Sequence, residues 1–250
     1  MNNGIGKLTN RSFHMSITTI QLKQVLRNRR FILFTILLPG IWYLFMIKVI
    51  APTVPHNGKY QIGLLLLALL MGIIGNSIVT FSKRISGGKQ FYLLQSHISH
   101  YSIWRYMLTQ LVSQLIVNFL ITAIIILLAA GLRSVTFTAI NLLSILLINV
   151  LGIYLSVIGF TIGIIFDAPT VDAGGTPIMF ILMFFIIPWN SFYITNGFAK
   201  IFTVIQKLFP CYYIYANIDH FTVNNLVMFS VTFIVTILPF IILIYYKLKK

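Results

Sequence analysis

Side chains able to do acid–base, nucleophilic or metal chemistry are few in this chain and poorly spaced for it. There is no Glu, and the three acidic residues are Asp167, Asp172 and Asp219. The five histidines are His14, His56, His97, His100 and His220. His97 and His100 share a helix face at i, i+3, but zinc needs a third protein ligand and none is in register. Without Glu there is no His-Glu-x-x-His pair. The single Cys211 rules out an intrachain disulfide framework and a cysteine-rich metal site. Gly87-Gly88-Lys89 has the flavour of a phosphate loop. It lacks the upstream Gly at the right spacing and the Ser/Thr after Lys that would bind nucleotide and magnesium. The expectation is a chain that is not an enzyme, with no catalytic residue and no metal or cofactor of its own.

What the charges avoid is more telling. Six runs without an acidic or basic residue cover about 31–47, 60–82, 106–132, 134–166, 173–199 and 221–246. A hydrocarbon layer of about 30 Å is crossed by roughly 20 helical residues, so each run is long enough to span once. A soluble domain would instead show apolar stripes backed by charged faces. Hydrophobic residues make up 58% of the chain and charged residues 8%. These features predict an all-α integral membrane protein with six transmembrane helices. The expected organisation is a cytoplasmic N-terminus, 1–30, and one six-span domain, 31–246. Its spans fall near 31–50, 61–82, 106–130, 139–166, 177–195 and 223–246, followed by a basic tail, 247–250. The formal charge of +15 fits Lys and Arg drawn to anionic headgroups. No soluble module exists to carry a nucleic-acid surface. The N-terminus lacks the apolar core and small-residue cleavage site of a signal peptide.

Lys and Arg gather on cytoplasmic connections. Thirteen lie on the side that holds both termini and the 83–105 connection, against five on the other: Lys48, Lys59, Arg133, Lys200 and Lys207. Both termini are therefore expected in the cytoplasm. Residues 15–30 carry Lys23, Arg27 and Arg30 on one helical face and apolar residues on much of the rest, as an interfacial helix does. Pro39-Gly40 predicts a kink or unwound point in span one. In 83–105, Gly87-Gly88 reads as a break, followed by a short amphipathic cytoplasmic helix with Phe91, Leu94 and Ile98 on one face. Arg133 marks a tight turn between spans three and four. Pro188, Trp189 and Asn190 interrupt span five, and one or two interfacial helices follow around Phe209-Pro210. Tyr212, Tyr213 and Tyr215 suit an aromatic belt. No span interior holds a charge, and Asn76, Ser77, Gln114, Asn118, Asn149 and Ser156 read as interhelical hydrogen-bonding groups.

The order of these features is similar to the permease subunit of type-2 ABC exporters, the group with multidrug, antimicrobial-peptide and lantibiotic-immunity permeases. The likeness runs from about residue 16 to 246. It rests on the basic N-terminal helix, "LRNRRFILFTILLPG" entering span one, the loop helix after span two, the broken fifth span, and "KLFPCYYIYANI" before span six. Arg27-Asn28 through Pro39 match the family's Arg-Asn…Leu-Leu-Pro entry, and Phe209-Pro210 the family's Asn-Pro. The resemblance implies that residues 89–104 include a coupling helix docking on a separate ATPase. Phe91, Tyr92, Leu93, Leu94 and Ile98 would be its contacts. Pro188 through Pro210 would form outer re-entrant helices. Lys83-Arg84 and Gly88-Lys89 stand where the family has acidic residues and Gly-Thr.

The function so implied is ATP-driven export of an amphipathic or apolar cargo, such as a peptide, drug or lipid-like molecule, across a bacterial cytoplasmic membrane. ATP would be bound by the partner ATPase. A second permease copy or paralogue would complete the pathway along spans one, two and five, with Met179, Met183, Phe180, Phe184 and Phe185 as candidate lining. The alternative is a non-transporting assembly, sensory or immunity factor that acts by binding alone.

Overall fold

Where the structure is described, the charge-free runs are largely helical. The computed structural model describes residues 23, 25, 27–53, 58–99, 103–186 and 197–249, and among them there is no strand. Eight helical elements follow in order: α1 (29–53), α2 (58–99), α3 (Ile103–Gly131), α4 (Ala139–Ile165), α5 (Ala168–Ile186), α6 (Gly197–Gln206), α7 (Pro210–Asp219) and α8 (Val223–Lys249). Five helical stretches are long and apolar enough to cross a membrane: Gly58–Tyr92, Tyr106–Gly131, Ala139–Ile165, Ala168–Ile186 and Val223–Lys247. In α1 the apolar part, Thr35–Ile50, is shorter. The chain is a helical, multi-pass membrane protein.

The centre of the bundle is α2. Its residues Ile62 through Ser82 are all buried, enclosed by α1, α3, α4, α5 and α7. Lipid is as apolar as leucine, so burial alone does not drive helices together in a membrane; close packing does. Small residues on α4 supply it. A Cβ added at Gly163 would lie 2.5 Å from the Ser82 carbonyl and 2.7 Å from Ile85 Cβ, and one at Gly152 would lie 2.6 Å from Asn118 Nδ2. With Ser156 and Gly159 these residues let α4 sit almost backbone to backbone on α2.

Exposed faces are apolar, as lipid or a protein neighbour requires. Leu108, Val112, Phe119 and Leu127 mark the outer face of α3, and Val227, Val231, Leu238 and Ile242 that of α8. Helix α8 is peripheral, leaning on α4 and α7.

Several expectations change here. Pro39-Gly40 does not unwind α1: Pro39 sits in the first turn of the α-helical part, Leu38–Phe45, directly after the π-helical Ile32–Leu37. The wider turn takes up the missing N–H and the ring's clash with the preceding carbonyls. Gly87-Gly88 does not break the chain, because α2 runs through it to Ser99. Helix α5 starts at Ala168 rather than near 177, leaving Phe166-Asp167 as the connection from α4. Asp167 caps α5, its carboxylate accepting from the Thr170 hydroxyl and backbone N–H. The α3–α4 hairpin forms as expected, with Arg133 at φ 49° in its turn and Thr138 accepting from Asn141 N to cap α4. Residues 187–196, with Pro188, Trp189 and Asn190, lie outside the described residues.

Candidate functional site

The notable chemistry is a polar seam between α2 and α3. On α2, Asn76, Thr80 and Arg84 recur every four residues; on the antiparallel α3, Asn118, Gln114 and Gln110 do the same. Part of α2, Gly75–Phe81, is π-helical, and its wide turns carry Asn76, Ser77 and Thr80. At the mid-bundle end, Asn76 Nδ2 donates to Asn118 Oδ1 at 2.9 Å. Toward the end holding Asp167, Arg84 Nη2 donates to Gln114 Oε1 at 3.4 Å, and its guanidinium lies 4.9 Å from the Phe81 ring centre. Beyond Asn118, Thr122 donates to Asn149 Oδ1 at 3.0 Å, and Ser77 pairs with Ser156 at 3.3 Å. The amides and hydroxyls thus do bond between helices, as expected from sequence.

They do not satisfy one another fully. Asn76 Oδ1, Thr80 Oγ1, Arg84 Nε and Nη1, Gln110 Oε1, Gln114 Nε2 and Asn118 Nδ2 are all shut off from solvent without a hydrogen-bond partner. Each such group costs about 1–3 kcal/mol. Beyond the expected end of span two, the Arg84 guanidinium turns toward α3 and bonds Gln114. By sequence alone Arg84 belongs to the 83–105 connection. Its four-residue spacing from Thr80 and Asn76 was the signal that joins it to the seam.

Around this basic end the other cations are used internally. Lys83 pairs with Asp172 at 2.9 Å. Ser86 Oγ donates to the Phe166 carbonyl at 2.8 Å, and Lys89 Nζ to the Ile164 carbonyl at 2.6 Å. Those carbonyls end α4, where unpaired acceptors and the helix dipole favour a cation. Lys83 therefore ties α2 to the start of α5, and Lys89 ties it to the end of α4.

Past these ties, the expected coupling residues lie on the end of α2 itself. Tyr92 is buried and stacks on Tyr106, with ring centres 4.3 Å apart, and Tyr106 in turn lies 5.9 Å from Phe160. Phe91 and Leu94 point outward, 72% and 64% exposed. The side chains of Leu93 and Ile98 lie outside the described residues.

The remaining candidates are dispersed. Lys23 and Arg27 are exposed and Val25 between them is buried, an amphipathic division; the Arg30 side chain is not among those described. Pro210 opens α7 at its first turn with Phe209 extended before it. Tyr215 is enclosed in the core, not in an aromatic belt. Cys211 is buried too, and burial pushes its thiol up, leaving it unreactive. Of the expected lining residues, Met179 is buried, Phe180 and Phe184 are exposed, and Phe184 meets Phe202 of α6 edge-on at 5.1 Å. Span two, expected to line a surface between two subunits, is enclosed within one; α1 and α5 present the apolar faces instead. Among the described residues no group of three His, Cys or Asp side chains is placed to hold a metal. Comparison with known protein families, with curated proteins and with solved structures finds no match for this chain.

Proposed function

We propose that this chain is the membrane-spanning permease subunit of an ATP-driven exporter in a bacterial cytoplasmic membrane. It would span six times with both termini in the cytoplasm, α1 supplying the first span. The observation that carries the reading is the length and setting of α2. The helical stretch Gly58–Tyr92, 35 residues with an apolar core, measures about 50 Å at helical rise, against about 30 Å of hydrocarbon. One end is therefore a rigid extension beyond the lipid, tipped by the exposed Phe91–Leu94 pair. The rest of it is the axis that α1, α3, α4 and α5 touch. Such a rod suits the transmission of movement from an ATPase outside the membrane to the bundle. The moving element must differ in its contacts between two states to respond to a ligand, and an exposed apolar pair provides such a contact. Cargo would be amphipathic or apolar, moving between the α1 and α5 faces of two permease subunits.

Affinity capture through a C-terminal tag in mild detergent tests this. The expected result is co-purification of an ATP-binding-cassette ATPase, abolished by Leu94→Asp while the variant still inserts and elutes as folded protein. Leu94 is exposed, so the new charge acts at the interface and not in the core. Folded protein recovered without an ATPase would favour a factor that acts by binding alone.

A further inference from the structure

Three cations lie on α2 between residues 83 and 89, and their partners differ in kind. Lys83 has the Asp172 carboxylate and Lys89 the Ile164 carbonyl. Among the described residues, Arg84 meets neither a carboxylate nor a backbone carbonyl. One long bond to Gln114 Oε1, the Phe81 ring face and the nearby Tyr106 phenol are its polar neighbours, while Nε and Nη1 are sealed from solvent with no acceptor. A guanidinium cannot shed its charge, so this fork stays cationic with two of its nitrogens lacking an acceptor. The groups beside it are donors as well. The Thr80 hydroxyl, one turn earlier on α2, and Gln114 Nε2 on α3 are both buried without a partner.

We propose that Arg84, Gln114 and Thr80 form a binding site for a phosphate group at the basic end of the α2–α3 seam. The donors come from three side chains on two helices, a spread that matches a tetrahedral oxyanion better than a flat carboxylate. A guanidinium pairs with two phosphate oxygens at once. Gln110 Oε1, the unpaired acceptor one turn from Gln114, takes the proton of a singly protonated phosphate. The place suits the ligand, since Lys83, Lys89 and the exposed end of α2 lie where headgroups are found and where Arg and Lys attract anionic lipid. The phosphate can belong to an anionic phospholipid or to a soluble phosphate compound, and the site chemistry is the same. The inference concerns this chain by itself and stands apart from the transport reading.

The test uses the full chain in a maltoside detergent and follows the thermal midpoint. Inorganic phosphate is titrated against chloride at matched ionic strength, and phosphatidylglycerol is added to separate micelles. A rise with both probes identifies a site open to soluble phosphate; a rise with the lipid alone identifies a headgroup site. Arg84→Gln is expected to abolish the rise and, with no probe present, to melt above wild type, because it removes an uncompensated buried charge. Thr80→Val, close in shape, should weaken binding roughly tenfold. Lys247→Gln, on the exposed end of α8, should leave the rise intact. No rise in wild type with either probe overturns the site. An equal rise in Arg84→Gln does the same. So does an Arg84→Gln protein that melts lower than wild type or fails to fold, since Arg84 would then be structural.

Discussion

Phe91 and Leu94 are exposed while Tyr92, beside them, is buried on Tyr106. One helical turn thus holds a buried anchor and an exposed apolar pair pointing in different directions. The cap at Asp167 works from the other side of the same end. Its hydrogen bonds from Thr170 hold the carboxyl below the ordinary carboxylate range, so the ionised form is favoured in the folded protein. A depressed folded value means that the cap's contribution is present above about pH 4 and is lost as pH falls through the folded value. Asp167→Asn is expected to lower the thermal midpoint at neutral pH and to flatten its decline in acid, followed by size-exclusion of heated samples. These roles were partly legible in sequence. Phe91 and Leu94 were recognisable by their spacing. Arg84 was hidden because a Lys-Arg pair at the end of an apolar run reads as a boundary; its four-residue spacing from Thr80 and Asn76 is the pattern that links it to the seam, where it bonds Gln114.

Helices α3 and α4 form close to their expected limits because a strong apolar run, a tight turn at Arg133 and the Thr138 cap all agree. Two boundaries departed from expectation for physical reasons. Gly87-Gly88 is a weak helix former, yet Ser86 and Lys89 on either side are tied to the end of α4, and those contacts outweigh propensity. The polar stretch after Phe166 reads as a loop, but Asp167 caps it into the start of α5. If α2 is a rod and not a hinge, Gly87→Ala keeps function and adds about 0.5–1 kcal/mol, since a Cβ there meets nothing within 4 Å. Gly87→Pro breaks it at a cost of about 3 kcal/mol and disconnects the extension. On α4, Gly163→Val forces the helix off Ser82 and Ile85 and is expected to abolish folded protein, read as loss of the monodisperse peak.

Across the whole chain, the two ends of the bundle differ in character. One gathers Lys83, Arg84, Lys89 and Asp172 around the α4–α5 connection. At the other, Lys59 caps the end of α7 by donating to the Asp219 carbonyl at 2.7 Å, and Tyr43 bonds Ser134 at 2.7 Å. On the proposed six-span arrangement, a reporter fused after Lys250 is expected in the cytoplasm and one inserted near Asn57 outside; the reverse pattern contradicts the orientation. The central claim, that the tip of α2 contacts an ATPase, has a direct test. Cys211 is buried and unreactive, so Leu94→Cys adds one accessible thiol for a photo-cross-linker in native membranes. The expected result is an adduct with an ATP-binding protein from Leu94→Cys and none from Leu127→Cys, on the apolar outer face of α3. An adduct that forms equally from both positions, or none with a nucleotide-binding protein, would contradict it.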